Sequence, residues 1–354
     1  MKILYITTGN HPGTLGGIQT VGRNLKEIYG KDFYFLTNKF DVKKFYSVSD
    51  VIEIYSSNKI LRAINKILKN KIRKYLTIKE IKKLNPDICI LSASEELELI
   101  SKLNVKKISI QHTIIDRYLS ETSKEEYEKI LKYPPNYFIC LSDKDKIKME
   151  RDLKKTEIKF KTIRFLNTLN LLEGKKEKNK NLIIVSRLSN SAKRLDLAIR
   201  AMKKLPEFTL NIYGEGEDEN FYKEIIEREK LKNVFLKGGT NQIKEKLDNS
   251  SIYIITSDFE GYPVSSIEAM RRGLPIIIRD TFGAASDIVV DNTNGILLNK
   301  EWNEDKFVEA IKNIYDNYEY YSENSRKLGE RYNKEIIKKE WDGLFKELVD
   351  VGEK

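Results

Sequence analysis

Much is missing from this sequence, and each absence excludes something. Only two cysteines occur in 354 residues. Cys89 and Cys140 lie inside the apolar runs PDICIL and YFICLS, where a thiol packs as a small hydrophobe, so no disulfide framework is expected. No apolar run approaches the ~18 residues of a membrane span. The N-terminal MKILYITTGNHPG is too short in its apolar part for a secretory signal and reads as a first strand. The expected location is therefore the cytoplasm. The chain has no low-complexity tail, no repeat with a period of roughly 20 to 50 residues, and no His or Cys cluster at metal-ligand spacing.

What is present describes a folded chain with two cores. Hydrophobic residues at 40% and charged residues at 33% bury a core and solvate a surface, which rules out a mainly disordered or collagen-like polymer. The length exceeds what one core usually serves, so two domains of roughly 170 residues are expected. The formal charge is +11, and residues 1–170 alone hold 33 basic against 20 acidic side chains. Any attraction to an anionic partner belongs to that half. An RNA-binding aromatic signature and zinc-finger spacing are both absent, so nucleic acid is not the expected partner.

Short β-branched or aromatic runs alternate with segments of helical period, which predicts an α/β fold with parallel sheets. The first series is KILYIT (2–7), FYFLT (33–37), PDICILS (86–92), KKISIQH (106–112) and NYFICLS (136–142). The second is NLIIVSR (181–187), FTLNIYG (208–214), NVFLKG (233–238), SIYIITS (251–257) and LPIIIRD (274–280). Between them the polar LEGKKEKNKN (172–181) has the composition of a solvated linker. Three helices close the chain, and the last places Ile337, Trp341, Leu344, Phe345 and Leu348 on one face, which needs a partner.

The chemistry concentrates in the second series. In TSDFEGYPVSSIEAMRRGLPIII (256–278) a strand ends at Ser257, a loop carries Glu260, Gly261 and Tyr262, and Pro263 opens a helix. The first amides of that helix, at Val264, Ser265 and Ser266, suit a phosphate. Glu268, a turn further in, suits ribose hydroxyls, and Glu260 suits a sugar bonded to that phosphate. In IIVSRLSNSAKRLDLAIRAMKKLPEFTLNIYGEGED (183–218), Arg187 at a strand end and Lys193, read as the start of a helix, fit a diphosphate. They would neutralise charge building on it as its bond to the sugar breaks. Taken singly, each of these residues also has an ordinary surface or structural explanation.

Together they do not. Arg187 and Lys193, YGEGED (213–218) with Gly214, NVFLKGG (233–239), FEGYPVSSIEAM (259–270) and NTNGILL (292–298), in this order, resemble the nucleotide-sugar half of the family-four glycosyltransferases. That resemblance implies a GT-B fold, with two Rossmann-like parallel-sheet domains facing a central cleft. It implies residues 1–170 as an acceptor-side domain, 171–335 as a nucleotide-sugar domain, and 336–354 as a C-terminal helix packing back on the first. It also implies retention of anomeric configuration, in transfer of a hexose or N-acetylhexosamine to a glycan, polymer or lipid-linked acceptor in bacterial-type cell-surface polysaccharide synthesis. The donor implied is a UDP-sugar, with GDP as runner-up, and no metal is required because Arg187 and Lys193 would replace it. Asp143 and Asp145, the one Asp-x-Asp, sit at an expected strand-to-helix junction instead.

By the same resemblance Arg187 and Lys193 bind the diphosphate, Glu260 with Gly261, Tyr262 and Pro263 holds the sugar, and Glu268 holds the ribose. The first half matches more loosely. GNHPGTLGGIQTVGRNLKEI (9–28) resembles a glycine-rich loop in which Gly16 and Gly17 admit the diphosphate or acceptor. IQHT (110–113) implies that His112 contacts the transferred sugar, and FLNTLN (165–170) keeps Asn167 but has Thr168 where the family has glycine. A catalytically silent partner subunit of a glycosylation complex and a sugar-nucleotide epimerase stay open as alternatives. Residues 59–76, KILRAINKILKNKIRKYL, carry seven basic side chains and no acid at helical spacing. They suit either a packed outer helix or peripheral contact with an anionic membrane at the inner face of the cell membrane.

Overall fold

Two parallel sheets form from the apolar runs, which supply most of their buried residues. A computed structural model describes residues 1–38, 42–54, 71–112, 124–154, 156–167 and 169–350. The first sheet holds β1 (Ile3–Ile6), β2 (Phe33–Thr37), β3 (Val51–Glu53), β4 (Ile88–Leu91), β5 (Lys106–Ile110), β6 (Tyr137–Cys140) and β7 (Lys159–Thr162), in the order β3-β2-β1-β4-β5-β6-β7. The second holds β8 (Asn181–Val185), β9 (Thr209–Tyr213), β10 (Val234–Leu236), β11 (Ile252–Ile255), β12 (Ile276–Arg279) and β13 (Gly295–Leu298), in the order β10-β9-β8-β11-β12-β13. All strand pairs are parallel, with Ile3 opposite both Phe33 and Ile88 in the first sheet and Leu182 opposite both Leu210 and Ile252 in the second.

The chain divides into two compact units, 1–166 with 334–354, and 167–333. Both sheets run outward from their first strand and then restart on its other side, which is the doubly wound pattern. The structure adds three strands that apolar runs alone do not reveal, β3, β7 and β13. All three are sheet edges. An edge strand has one solvated side and needs no continuous apolar run, so the lysine-alternating KFKT of β7 reads as loop.

In the first unit the helix Lys334–Asp350 supplies part of the core. Ile337, Trp341, Leu344, Phe345 and Leu348 are all buried, with Trp341 and Tyr29 each ring-to-ring with Phe345 at 5.5 and 5.4 Å. Burying such side chains contributes about 1.5–3 kcal/mol each, as an upper bound. Polar ties set the register: the Tyr29 hydroxyl donates to Asp342 at 3.0 Å and the Tyr137 hydroxyl to Glu347 at 2.7 Å. Cys89 and Cys140 are buried free thiols, and burial pushes the Cys89 pKa up to about 12. Of the basic stretch 59–76, residues 59–70 lie outside the described residues, and 71–76 open the helix Lys71–Leu84.

A buried carboxylate fastens the first unit at the point where its sheet changes direction. Glu96, wholly inaccessible, sits between the loops that follow β1 and β4. Its Oε1 accepts from the Thr8 amide at 2.7 Å and the Thr8 hydroxyl at 3.0 Å, and its Oε2 from the amides of Ser92 at 2.7 Å and Ala93 at 3.1 Å. Burial raises its pKa to about 7 against the pull of these donors. The folded chain therefore holds this proton more tightly than the unfolded one. The resulting stabilisation is complete below the ordinary carboxylate range and lost as pH rises toward about 7. Glu96→Gln leaves amides unpaired and is expected to cost about 2–3 kcal/mol. The wild-type advantage in urea unfolding should shrink by about 3 kcal/mol between pH 5 and pH 8. Trp341 fluorescence in a Trp302→Phe background reads this unit, and an advantage that grows with pH would show that the amides, not burial, govern the carboxylate.

Candidate active site

Ligands of doubly wound sheets sit beyond the carboxyl ends of the strands, where loops from the two directions part. In the second unit that place lies between β8 and β11. The loop after β8 carries Arg187 and Lys193, and the loop after β11 carries Glu260. Backbone contact is close here: Gly214 at φ 152° ends β9 so near β8 that a Cβ on it would lie 1.8 Å from the Ser186 carbonyl oxygen. Only glycine permits this approach.

Lys193 and Glu260 meet directly. Their Nζ and Oε1 are 2.6 Å apart, with side-chain exposures of 19% and 14%, and the Ser257 hydroxyl donates to the same Oε1 at 2.9 Å. A pair this sheltered is held more firmly than a surface one. Arg187 is exposed and takes Glu217 as its counterion at 2.8 Å, while Ser189 donates to the other Glu217 oxygen at 2.9 Å. A hydrogen bond from its own backbone amide, then those from Ser189 and Arg187, hold the Glu217 carboxyl below the usual range.

The helix Val264–Arg271 opens at Pro263 beside this cluster. Its Ser265 Oγ lies 2.6 Å from the buried Tyr253 hydroxyl, which is also 3.2 Å from the Val185 carbonyl. Burial raises the Tyr253 pKa, and the Glu268 and Glu260 carboxylates raise it further, so both acids act on the same spot. Tyr262 faces inward, its hydroxyl donating to Asp287 at 3.1 Å and meeting that of Tyr332.

Two expectations need correction. Lys193 does not begin a helix; it ends the one-turn Asn190–Lys193, and Arg194 stands in a left-handed conformation before Leu195–Ala201. The Ser266 amide bonds back to the Pro263 carbonyl at 2.9 Å, so the helix start offers only the amides before it.

The first unit's own switch point, between β1 and β4, carries the glycine-rich loop. Gly16 has φ 139°, and a Cβ there would lie 2.4 Å from Gln19 Oε1, while Gly17 opens the helix Gly17–Tyr29. Sequence reasoning passed over His11, which is buried in this loop. Its Nδ1 accepts from the Gly13 amide at 2.9 Å, so Nε2 carries the proton toward Glu53 Oε1 at 3.0 Å. Burial lowers its pKa, with Lys44 acting the same way, against the pull of Glu53. His112 follows β5, half-buried and stacked on Phe165, and burial pushes its pKa down to about 3, leaving a neutral ring. Asn167 accepts from the Leu169 amide at 2.8 Å, while Thr168 lies outside the described residues.

Glu217, Asp258 and Arg279 also escape a sequence reading, because their partners lie far along the chain, as does the tie from Glu96 to Thr8. The Asp-x-Asp pair sits in the first turn of the helix Asp143–Asp152, where the Asp145 carboxylate accepts from Gln111 at 2.8 Å. Among the described residues no group of three or more His, Cys, Asp or Glu is arranged to hold a metal ion, and no helix is long and apolar enough to cross a membrane.

Known proteins resemble this chain in its second unit and in its fold. Residues 172–334 match the family model of glycosyl transferases group 1. The poly(glycerol-phosphate) alpha-glucosyltransferase of Bacillus subtilis is 33% identical over 177 residues, 48% of this chain and 26% of that protein. The chain thus spans about a quarter of the length of that relative. An uncharacterized glycosyltransferase of Haemophilus influenzae is 27% identical over 351 residues, covering 94% of this chain and 97% of that one. The crystal structure of a mutant of S. aureus TarM in complex with fondaparinux, alpha-GlcNAc-glycerol and UDP superposes with a TM-score of 0.68 and 25% identity. It covers 77% of this chain and 59% of TarM. Residues 172–334 thus match the glycosyl transferases of group 1, and the two doubly wound parallel sheets are those of the GT-B fold.

Proposed function

We propose that this chain transfers a hexose or N-acetylhexosamine from a UDP-sugar to a phosphate-bearing cell-surface polymer or lipid-linked glycan, with retention of anomeric configuration. One observation carries the reading: Lys193 and Glu260 form a sheltered pair at the β8–β11 switch point, with Arg187 on the same loop as Lys193. Arg187 and Lys193 take the diphosphate, releasing Glu217 and loosening Glu260. Glu260 and the backbone of Gly261, Tyr262 and Pro263 hold the sugar. Val264 and Ser265, with Gly214, line the phosphates, and Glu268 accepts from the ribose. In the first unit Gly16, Gly17 and neutral His112 are assigned contacts with the diphosphate, acceptor and sugar.

Retention follows from a front-face displacement. The bond from the anomeric carbon to the phosphate oxygen breaks, the acceptor oxygen bonds from the same face, and the departing phosphate oxygen takes the acceptor's proton. The two cations stabilise the negative charge left on the diphosphate. They do so without a metal, so activity should survive a chelator. Support for an α product comes from the alpha-glucosyltransferase of B. subtilis. For a polyanionic acceptor, support comes from the basic first half and the helix Lys71–Leu84, in which Lys71, Arg73, Lys74, Lys79, Lys82 and Lys83 face one acid, Glu80. The same charges favour the cytoplasmic face of an anionic membrane, where each is worth about 1 kcal/mol.

A panel of UDP- and GDP-sugars screened by thermal shift identifies the donor. Arg187→Ala and Glu268→Ala should each weaken it at least about tenfold, the scale of one lost charge-assisted contact. Glu217→Gln should instead tighten it by about two- to threefold, since a competing surface pair is removed. Full donor affinity in both alanine variants would place the site elsewhere. Nucleoside diphosphate should appear only when acceptor is present, which separates transfer from epimerisation, and proton NMR of the product should show the donor's own anomer. Binding to anionic liposomes should fall with added salt and in Lys82→Glu/Lys83→Glu; no sedimentation at low salt removes the membrane contact.

A further inference from the structure

Arg194 follows Lys193 directly and has φ 48° and ψ 43°, a left-handed conformation that disfavours any residue with a Cβ. Such a conformation persists where surroundings over-determine it. Here they do. The guanidinium bonds Asp196 through Nε at 3.1 Å and Nη2 at 3.4 Å, and reaches Asp258 Oδ2 through Nη1 at 3.3 Å. The other oxygen of Asp258 accepts from Arg279 Nη1 at 2.5 Å. Arg279 is buried and also donates to the carbonyls of Thr256 at 2.8 Å and Lys300 at 2.6 Å.

Asp258 therefore joins two arginines from different elements, and it lies two residues before Glu260. The backbone repeats the connection. The Asp258 amide donates to the Ala192 carbonyl at 2.8 Å, and the Thr256 hydroxyl to the Lys193 carbonyl at 3.0 Å. Three successive residues, 192 to 194, are thus bound to the segment 256–258. Lys193 projects from the first stretch and Glu260 follows the second.

We infer that Arg194, Asp258 and Arg279 form an ionic brace that positions the Lys193 ammonium against the Glu260 carboxylate and so sets the spacing at which donor diphosphate and sugar are held. The inference rests on the donor-site reading proposed above. The three side chains are positioning residues: they act through Lys193 and Glu260.

Arg194→Gly is the discriminating variant, because it suits the turn while removing the side chain that carries the guanidinium. Its melting temperature should stay within about 3 °C of wild type. Its donor Kd should rise at least about fivefold and its kcat fall about tenfold, the usual consequence of a misplaced binding group. Arg194→Lys should recover part of the affinity, as a single charge lacks the fork of the guanidinium. In a Lys193→Ala background, Arg194→Gly should cost nothing further, since residues acting as one unit are not additive. Donor Kd and kcat within about twofold of wild type in Arg194→Gly, or a full additive loss in the double variant, would overturn the brace. Should Lys193→Ala itself bind donor normally, the donor reading fails. A crystal structure of Arg194→Gly then decides the brace alone: separation of Lys193 and Glu260 beyond about 4 Å supports it, and contact retained at 2.6 Å overturns it.

Discussion

The constraint on which the second unit depends is the reversal of strand order between β8 and β11. Parallel strands end with their loops on one side, and where the winding changes direction those loops diverge rather than crossing. The gap left between them is the one place on the sheet edge where a charged ligand meets loops from both directions. Lys193 comes from one loop and Glu260 from the other, and they meet across that gap at 2.6 Å. Gly214 makes this possible from behind, since any side chain there would force β9 and β8 apart at their ends. The first sheet repeats the scheme with different chemistry: Glu96 closes the corresponding gap by taking amides from both loops.

The two gaps differ in what they leave unspent. Glu96 is inaccessible and held by the amides of Thr8, Ser92 and Ala93 and the hydroxyls of Thr8 and Ser92, so it is a fastening. Lys193 and Glu260 are partly exposed, and Arg187 with Glu217 is largely so. The exposed Arg187–Glu217 pair can exchange partners at small cost, because such a pair is worth little in water, while the sheltered Lys193–Glu260 pair is held more firmly. In the proposed reading a diphosphate, which carries more charge than Glu217, binds both cations at once, and the present ion pairs are placeholder contacts that it replaces.

How far the sequence made this visible depends on distance along the chain. Central strands were legible because a parallel strand covered on both faces must be apolar throughout, as ICIL of β4 and IYII of β11 are. Edge strands β3, β7 and β13 were not, since half their surface is solvated. Arg187, Lys193, Glu260 and Glu268 stood out through motif order. His11 did not, although it lies in the same glycine-rich stretch, because its meaning comes from Glu53, 42 residues away. Asp258 was hidden in the same manner: its partners are 64 residues before it and 21 after it. The error at Lys193 had a local cause. The apolar period of Leu195, Ala198, Ile199 and Met202 is real, but a left-handed Arg194 interrupts the chain just before it, and periodicity carries no sign of φ.

That interruption bears on how the site keeps its shape while its contacts change. If Lys193 and Glu260 were held only by each other, a ligand that separates them would also release both loops, and the ordering cost would be charged against binding. The ties from Ala192 and Lys193 carbonyls to the 256–258 segment are backbone bonds that no donor displaces. Asp258 adds charge to the same junction without entering the gap. The side chains that exchange partners are thereby separated from the atoms that hold the loops together. A doubly wound sheet supplies the gap in any case; a preorganised charge pair within it requires this second, permanent layer of bonding behind the exchangeable one.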